Sequence, residues 1–263
     1  MTMSPPDHPV PFDFGGFESV QNHAHRVLML DYDGTLAPFR AERMAAVPYE
    51  GVRERLDAIS TRPESRLVIV SGRPVTEVVA LLDVRFPIEI WGAHGWQRQH
   101  ADGKIEEWSP PGSVRDVLQR ALASVPSRIP RDALESKTAS VALHTRRLPP
   151  AEGQRCIEVL YPIWERLVDG TPLQLRRFDG GIEVRSMARS KGDAVSTLKA
   201  ECRPDAFFAY LGDDETDEDA FARLSTTDWA ILVRPEVRPS RARYWLRPPG
   251  ELLDFLAGWT RDR

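Results

Sequence analysis

Short apolar runs punctuate this chain, and amphipathic stretches separate them. Val27–Leu30, Leu67–Val70, Ile88–Trp91, Phe207–Leu211 and Ala230–Val233 each read as a buried strand. For runs this short, periodicity alone does not exclude a helix. Helical spacing predicts helices near Tyr49–Ser60, Val75–Leu82, Gly192–Glu201, Glu218–Leu224 and Glu251–Trp259. This β–α–β rhythm predicts an α/β fold with a doubly wound parallel sheet. Gln97–Trp108 holds Ala101-Asp102-Gly103, a hairpin-turn signal.

From about Ser113 the pattern changes. Val114, Val117, Leu118, Ala121, Leu122 and Val125 share one helical face, and Ile157, Leu160, Trp164, Leu167 and Val168 share another. Ala139–His144 reads as a strand; Leu173–Phe178 and Ile182–Arg185, joined by Asp179-Gly180-Gly181, read as a β-hairpin. The block is read as a smaller α/β unit over residues 111–185, inserted into a main unit of residues 27–110 and 186–263. Residues 1–26, rich in Pro, Gly and His, read as a flexible lead-in.

Composition narrows the partners. Hydrophobic residues make up 41% of the 263, enough for a core. No run approaches the roughly 20 apolar residues of a membrane span. With 35 basic and 39 acidic side chains the net charge is −4, so neither nucleic acid nor acidic lipid is an expected partner. The basic run from Arg238 to Arg243 reads as a solvated face. Cys156 and Cys202 lack metal-ligand spacing and read as unpaired thiols of a reducing compartment. The N-terminus lacks the pattern of a secretory signal, so a cytoplasmic location is expected.

The polar residues that follow the apolar runs carry the candidate chemistry. Asp31-Tyr32-Asp33-Gly34-Thr35 follows the first run, Ser71-Gly72-Arg73 the second and Gly212-Asp213-Asp214-Glu215-Thr216-Asp217 the fourth, with Ser190-Lys191-Gly192 before it. A lone Asp-x-Asp often serves only as a turn or a helix cap. Recurrence of polar ends matters because parallel strands bring their carboxyl ends to one edge, where ligands bind. Crowded carboxylates repel unless a cation or a proton lies between them. Asp31, Asp33, Asp213, Asp214 and Asp217 therefore suggest a hard divalent cation, and Mg²⁺ suits a phosphate-bearing substrate. Ser71 and Lys191 are the natural donors to a phosphoryl group. One carboxylate can attack phosphorus while a second manages the proton. Arg73 reads equally as a structural partner of its loop or as a catalytic cation.

The ordered set Asp-x-Asp-Gly-Thr, Ser-Gly-Arg, Lys-Gly and Gly-Asp-Asp-x-x-Asp resembles the haloacid dehalogenase superfamily of phosphotransferases. More narrowly, Leu30–Pro38, Ile69–Arg73, Gly92-Ala93-His94-Gly95 and Gly212–Phe221 are similar to the trehalose-6-phosphate phosphatases, as are Glu135-Ser136-Lys137, Ser140–Arg146 and Ile182–Arg185 of the insertion. The resemblance runs from about Val27 to the C-terminus and is thinnest over Gly103–Ala133. It implies a Rossmann-like core with an α/β cap and an Mg²⁺-dependent phosphatase acting on a disaccharide phosphate. Asp31 would be the nucleophile and Asp33 the acid/base and a backbone metal ligand. Ser71, Gly72 and Lys191 would bind phosphate. Asp213 would ligate the metal, supported by Asp214 and Asp217. His94, Glu135, Lys137, Arg146 and Glu183 would hold the sugar.

Three other readings stand beside this one. The chemistry is equally compatible with another glycosyl phosphate, such as glucosylglycerol phosphate or mannosylglycerate phosphate. A non-catalytic phosphosugar-binding domain would lack a catalytic carboxylate, yet Asp31, Asp33, Lys191 and Asp213 are all present. A receiver domain would carry its Lys after the last acidic motif, whereas Lys191 precedes Asp213. The oligomeric state is open, and a monomer is compatible with the composition.

Overall fold

A computed structural model describes residues 8–86, 88–178 and 180–260. In chain order it begins with β1 (Val10–Pro11), α1 (Phe17–Val20), β2 (Arg26–Leu30), α2 (Val52–Ser60), β3 (Ser65–Val70), α3 (Val75–Leu82), β4 (Glu89–Gly92), β5 (Gln97–Gln99) and β6 (Ile105–Glu107). There follow α4 (Gly112–Ala123), β7 (Leu134–Ser136), β8 (Ser140–His144), α5 (Pro150–Val168), β9 (Leu173–Phe178) and β10 (Gly181–Ser186). The chain closes with α6 (Lys191–Glu201), β11 (Phe207–Gly212), α7 (Glu218–Phe221), β12 (Trp229–Val233), β13 (Tyr244–Leu246) and α8 (Gly250–Trp259). Contacts divide it into two units, one of residues up to 39, 46–106 and from 190, the other of residues 40–45 and 107–189.

The main unit is built on a sheet of order β1-β13-β12-β11-β2-β3-β4-β5-β6. Pairing is parallel from β1 to β4, and β5 turns back antiparallel on β4. Strands β2, β11 and β12 are buried throughout, as near-continuous apolar runs covered on both faces require. Strand β2 lies between β3, which follows it in sequence, and β11, which arrives much later. The strand order therefore reverses at β2, the point where doubly wound sheets open a ligand crevice. Leu30 is in register with Ile69 on one side and Leu211 on the other. The loops after β2, β3 and β11 are thus neighbours.

Within the segment expected as a flexible lead-in, residues 8–26 are described and pack on the main sheet. Val10–Pro11 extends the sheet as its edge strand beside β13. Phe12, Phe17 and Val20 are buried, and Phe12 and Phe17 pack edge-on against Trp229. Two aromatic side chains bury enough apolar area to order a segment whose Pro and Gly residues set turns. The helix expected over Glu218–Leu224 is shorter, ending at Phe221.

In the second unit the sheet order is β7-β8-β10-β9, all antiparallel. Val141 and Leu143 of β8 and Ile182 and Val184 of β10 join Val117, Ala121, Ile157, Leu160 and Trp164 of the helices in one core. The period of two then sends Ala142, His144 and Glu183 to the opposite face. This unit extends beyond the expected 111–185. Arg43 bonds Glu135, and the Arg189 guanidinium stacks 3.9 Å from the Trp108 ring centroid. The turn residue Asp179 lies outside the described residues.

A ring of charges pins the far end of α6 to the main sheet. Arg98 donates to Glu89 (2.8 Å) and, through both terminal nitrogens, to Glu201 (2.6 and 2.7 Å). Arg66 donates to Glu89 (2.9 and 2.7 Å) and to Glu201 (2.7 Å). The Trp91 indole N–H completes Glu89 at 3.0 Å. Arg98, then Arg66, hold the Glu201 carboxyl down at about 2. Its unfolded value is near 4.5, so its stabilisation is present above that pH and is lost as pH falls towards 2. The carboxylate is partly solvated, so screening limits the contribution to about 1 kcal/mol. Glu201→Gln should lower the melting temperature at pH 7 by about 3 °C, and the gap to wild type should narrow as pH falls below about 4.5 and close towards 2. A gap that stays constant with pH would refute this.

Candidate active site

Asp31 follows β2, Ser71 follows β3 and Asp213 follows β11, so the sheet delivers three polar loops to one edge. Lys191 arrives from a fourth segment. A capping box at Ser190 starts α6: the Ser190 hydroxyl oxygen accepts the Gly192 N–H, and Asp193 accepts the Ser190 N–H at 2.8 Å. This fixes Lys191 as the first helical residue, 3% exposed. Its Nζ donates to Asp31 Oδ1 at 2.5 Å and to Asp217 Oδ1 at 2.7 Å.

Asp31, Asp213 and Asp217 each bring a carboxylate oxygen within 4.8 Å of the others. Their surroundings differ. Asp217 accepts from Lys191 and from the Tyr210 hydroxyl (2.6 Å) on Oδ1, and from the Asp213 and Asp214 N–H groups (3.0 Å each) on Oδ2. Both oxygens are satisfied, so Asp217 anchors the lysine and the loop. Asp213 is 2% exposed, and its Oδ1 has no hydrogen-bond partner among the described residues. Burial, then the charges of Asp31 and Asp217, push Asp213 well above the usual carboxylate range. Burial likewise raises Asp31 to about 7, against the pull of Lys191. Burial and the neighbouring carboxylates also push the Tyr210 phenol up, so it stays a donor. Three carboxylates are met by the Lys191 ammonium and, 3.9 Å from Asp213, by the Arg234 guanidinium, which leaves a net negative charge and one unbonded buried oxygen. Hard oxygen donors in that balance fit a divalent cation.

The remaining predicted residues take other places. Asp214 caps the turn that follows, accepting the Glu215 N–H at 2.8 Å, and its carboxylate lies outside the cluster. The Asp33 carboxylate is turned to Arg73, which grips it with Nε at 2.6 Å and Nη2 at 2.7 Å. Ser71 is 1% exposed and accepts the Arg73 N–H at 3.1 Å, leaving its own O–H to donate. Ala93 and His94 are both left-handed, with φ of 50° and 55°, an uncommon conformation for residues with a side chain. Hydrogen bonds from their N–H groups to Arg73 O (2.7 Å) and Ser71 O (3.0 Å) hold it. The His94 ring thereby covers Gly72, where an added Cβ would stand 2.6 Å from it.

Within the second unit, Glu135 and Glu183 lie in register on either side of Ala142. Opposite residues share a face, and the small alanine leaves space between the two carboxylates. Lys137 Nζ is 3.5 Å from Glu135 and 3.8 Å from Glu183. Arg146 lays its stem against Gly180, and a Cβ there would meet it at 2.6 Å. Sequence reasoning missed His144, which bonds Glu135 at 2.7 Å. Burial and the cations Lys137 and Arg43 depress it to about 4, so its imidazole is neutral at pH 7 and donates to Glu135. Its alternation with Ala142 on β8 was the available signal. For Arg43, which bonds Glu135 from a distant loop, no local signal existed. Nor did one exist for Tyr210, which reads as an ordinary residue of an apolar strand.

An α/β core with a smaller inserted α/β unit is the haloacid dehalogenase fold, shared with superfamily phosphatases. The chain belongs to the trehalose-phosphatase family, whose profile matches residues 29–246. It is 31% identical over 214 residues to a bifunctional trehalose-6-phosphate synthase/phosphatase of Thermoproteus tenax, covering 80% of this chain and 29% of that one. It is 29% identical over 211 residues to the trehalose-6-phosphate phosphatase of Escherichia coli, covering 78% of this chain and 76% of that one. The trehalose-6-phosphate phosphatase C-terminal domain of C. albicans shares the fold, with a TM-score of 0.84 over 97% of this chain and 99% of that one at 21% identity. The chain thus spans under a third of the bifunctional relative and about three quarters of the E. coli one.

Gly34 lets the loop after β2 pass the clustered carboxylates. Its φ is +84°, and an added Cβ would stand 2.2 Å from Asp213 Oδ2. Gly34→Ala should leave the circular dichroism spectrum intact and lower phosphate release roughly tenfold to a hundredfold, the range expected when a residue that orients a metal ligand is disturbed. Wild-type release from this variant would show that the Asp213 position is not critical.

Proposed function

We propose that this chain is an Mg²⁺-dependent phosphatase that hydrolyses trehalose 6-phosphate to trehalose and phosphate. The observation that carries the reading is the buried cluster of Asp31, Lys191, Asp213 and Asp217 at the sheet's switch point, in a chain of the trehalose-phosphatase family. Asp31 and Asp213 would hold the cation through carboxylate oxygens, with the Asp33 backbone carbonyl as a further ligand. When bound, the cation would neutralise charge on the cluster and on the transferring phosphoryl group.

Asp31 attacks phosphorus, and the bond to the sugar oxygen breaks as Asp33 protonates it. Water then attacks the aspartyl phosphate, giving its proton to Asp33, and the electron pair of the broken P–O bond returns to Asp31. Lys191 and Ser71 donate to the phosphoryl oxygens, with Gly72 as a backbone phosphate contact of the Ser71 loop. Lys191 keeps its proton because Asp217 and Asp31 raise its pKa despite burial. In the second unit, Glu135, Lys137, Arg146 and Glu183 replace the water hydrogen bonds of the sugar hydroxyls, with neutral His144 and Arg43 fixing Glu135. His94 lies beside the phosphate loop as a substrate contact. Cys156 and Cys202 are both free thiols, which supports a reducing, cytoplasmic setting. No helix of the described residues is long and apolar enough to cross a membrane.

Phosphate release from a panel of glycosyl phosphates, with and without Mg²⁺, tests the reading. The expected result is Mg²⁺-dependent release with a preference for trehalose 6-phosphate. Asp31→Asn should abolish it by about three orders of magnitude or more, as loss of a nucleophile does. Preferred turnover of a glucosylglycerol or mannosylglycerate phosphate would replace the substrate and keep the chemistry. Full release by Asp31→Asn would end the mechanism.

A further inference from the structure

The acid/base carboxylate proposed above is held by one side chain, that of Arg73. Asp33 has a side chain 29% exposed, while that of Arg73 is 6% exposed. An exposed carboxylate on a loop samples several rotamers unless something fixes it. Arg73 meets both of its oxygens at once, at 2.6 and 2.7 Å, in the fork geometry peculiar to guanidinium. The fork is itself immobilised. Its third nitrogen donates to Glu77 one helical turn on (3.2 Å), and its plane lies 5.6 Å from the Tyr32 ring centroid. The Arg73 N–H donates to Ser71 Oγ, and the Arg73 carbonyl accepts the Ala93 N–H. Arg73 thus ties the direction of Asp33 to the phosphate loop after β3 and to the left-handed turn at Ala93.

We propose that Arg73 is the positioning residue of the acid/base carboxylate: its bidentate fork fixes where the Asp33 oxygens point, so that Asp33 accepts the proton of the water that hydrolyses the aspartyl phosphate. This rests on the phosphatase reading above. In that half-reaction the water oxygen bonds to phosphorus, its proton passes to Asp33, and the P–O bond to Asp31 breaks with its electron pair returning to Asp31. Each Asp33 oxygen gives Arg73 one lone pair and keeps a second, so the carboxylate can take the water's proton while the fork holds it. With an ester whose leaving group needs no proton, removing the fork therefore harms the second half-reaction alone.

p-Nitrophenyl phosphate separates the two halves, because p-nitrophenolate leaves without a proton. In rapid-mixing experiments with Mg²⁺, Arg73→Met should release close to one p-nitrophenolate per chain in a burst. Its steady rate should then be roughly tenfold to a hundredfold below wild type, the scale of general acid–base assistance. Arg73→Lys keeps a point charge without a fork and should show the same burst with a smaller loss. It also serves as the readable variant if the methionine protein does not fold. Burst and steady rate falling in equal proportion would make Arg73 a mere support of its loop and overturn the proposal. An unchanged steady rate would overturn it too. Wild-type protein inert towards both this ester and trehalose 6-phosphate would instead refute the phosphatase reading itself.

Discussion

One ammonium group, buried and shared between two carboxylates, organises this molecule. Lys191 reaches Asp31 and Asp217 from the first turn of α6, and a lysine taken out of water is tolerated only with such partners. Its positive charge and that of Arg234, 3.9 Å from Asp213, do not balance the site. Asp31, Asp213 and Asp217 present three carboxylates, leaving one net negative charge if all are ionised. Burial first, and then the neighbouring carboxylates, push Asp31 and Asp213 up, so without a cation protonation relieves the excess. A divalent cation would remove the same excess without a proton, and would leave Asp31 as the anion that the proposed nucleophilic attack requires.

The scaffold serves that balance at several distances. The strand order puts β2 between β3 and β11, so three loops meet with no long excursion. Helix α6 carries Lys191 at one end and is tied at the other by Glu201 to Arg66 and Arg98 on the sheet. Its lysine is aimed by a helix fixed at both ends. The aspartates divide the work by their hydrogen bonds. Asp217 spends four acceptor positions on structure, Asp213 keeps an oxygen free, and Asp33 is held apart by Arg73. Identical residue types thus acquire distinct roles from their surroundings.

Much of this was legible along the chain. Buried strands such as Val27–Leu30 and Phe207–Leu211 announce themselves as continuous apolar runs, and the polar ends of parallel strands converge by topology. The same reasoning fails where a residue's role is set by something remote. Arg43 reaches Glu135 from a loop far away in sequence. Tyr210 looks like any strand aromatic until its hydroxyl meets Asp217. In residues 8–26 Pro and Gly suggest looseness locally, while Phe12 and Phe17 find Trp229 more than two hundred residues on. Asp214 and Asp217 are near neighbours of one type in one motif. Only three-dimensional hydrogen bonding separates a cap from an anchor.

The most direct test of the charge balance is thermal melting at about pH 8 of wild type and Asp213→Asn, first in a chelator and then with added Mg²⁺. Excess buried charge predicts that the variant melts higher than wild type in the chelator. It also predicts that Mg²⁺ raises the melting temperature of wild type and leaves the variant unmoved. A variant that melts lower in the chelator and responds to Mg²⁺ as wild type does would contradict the account.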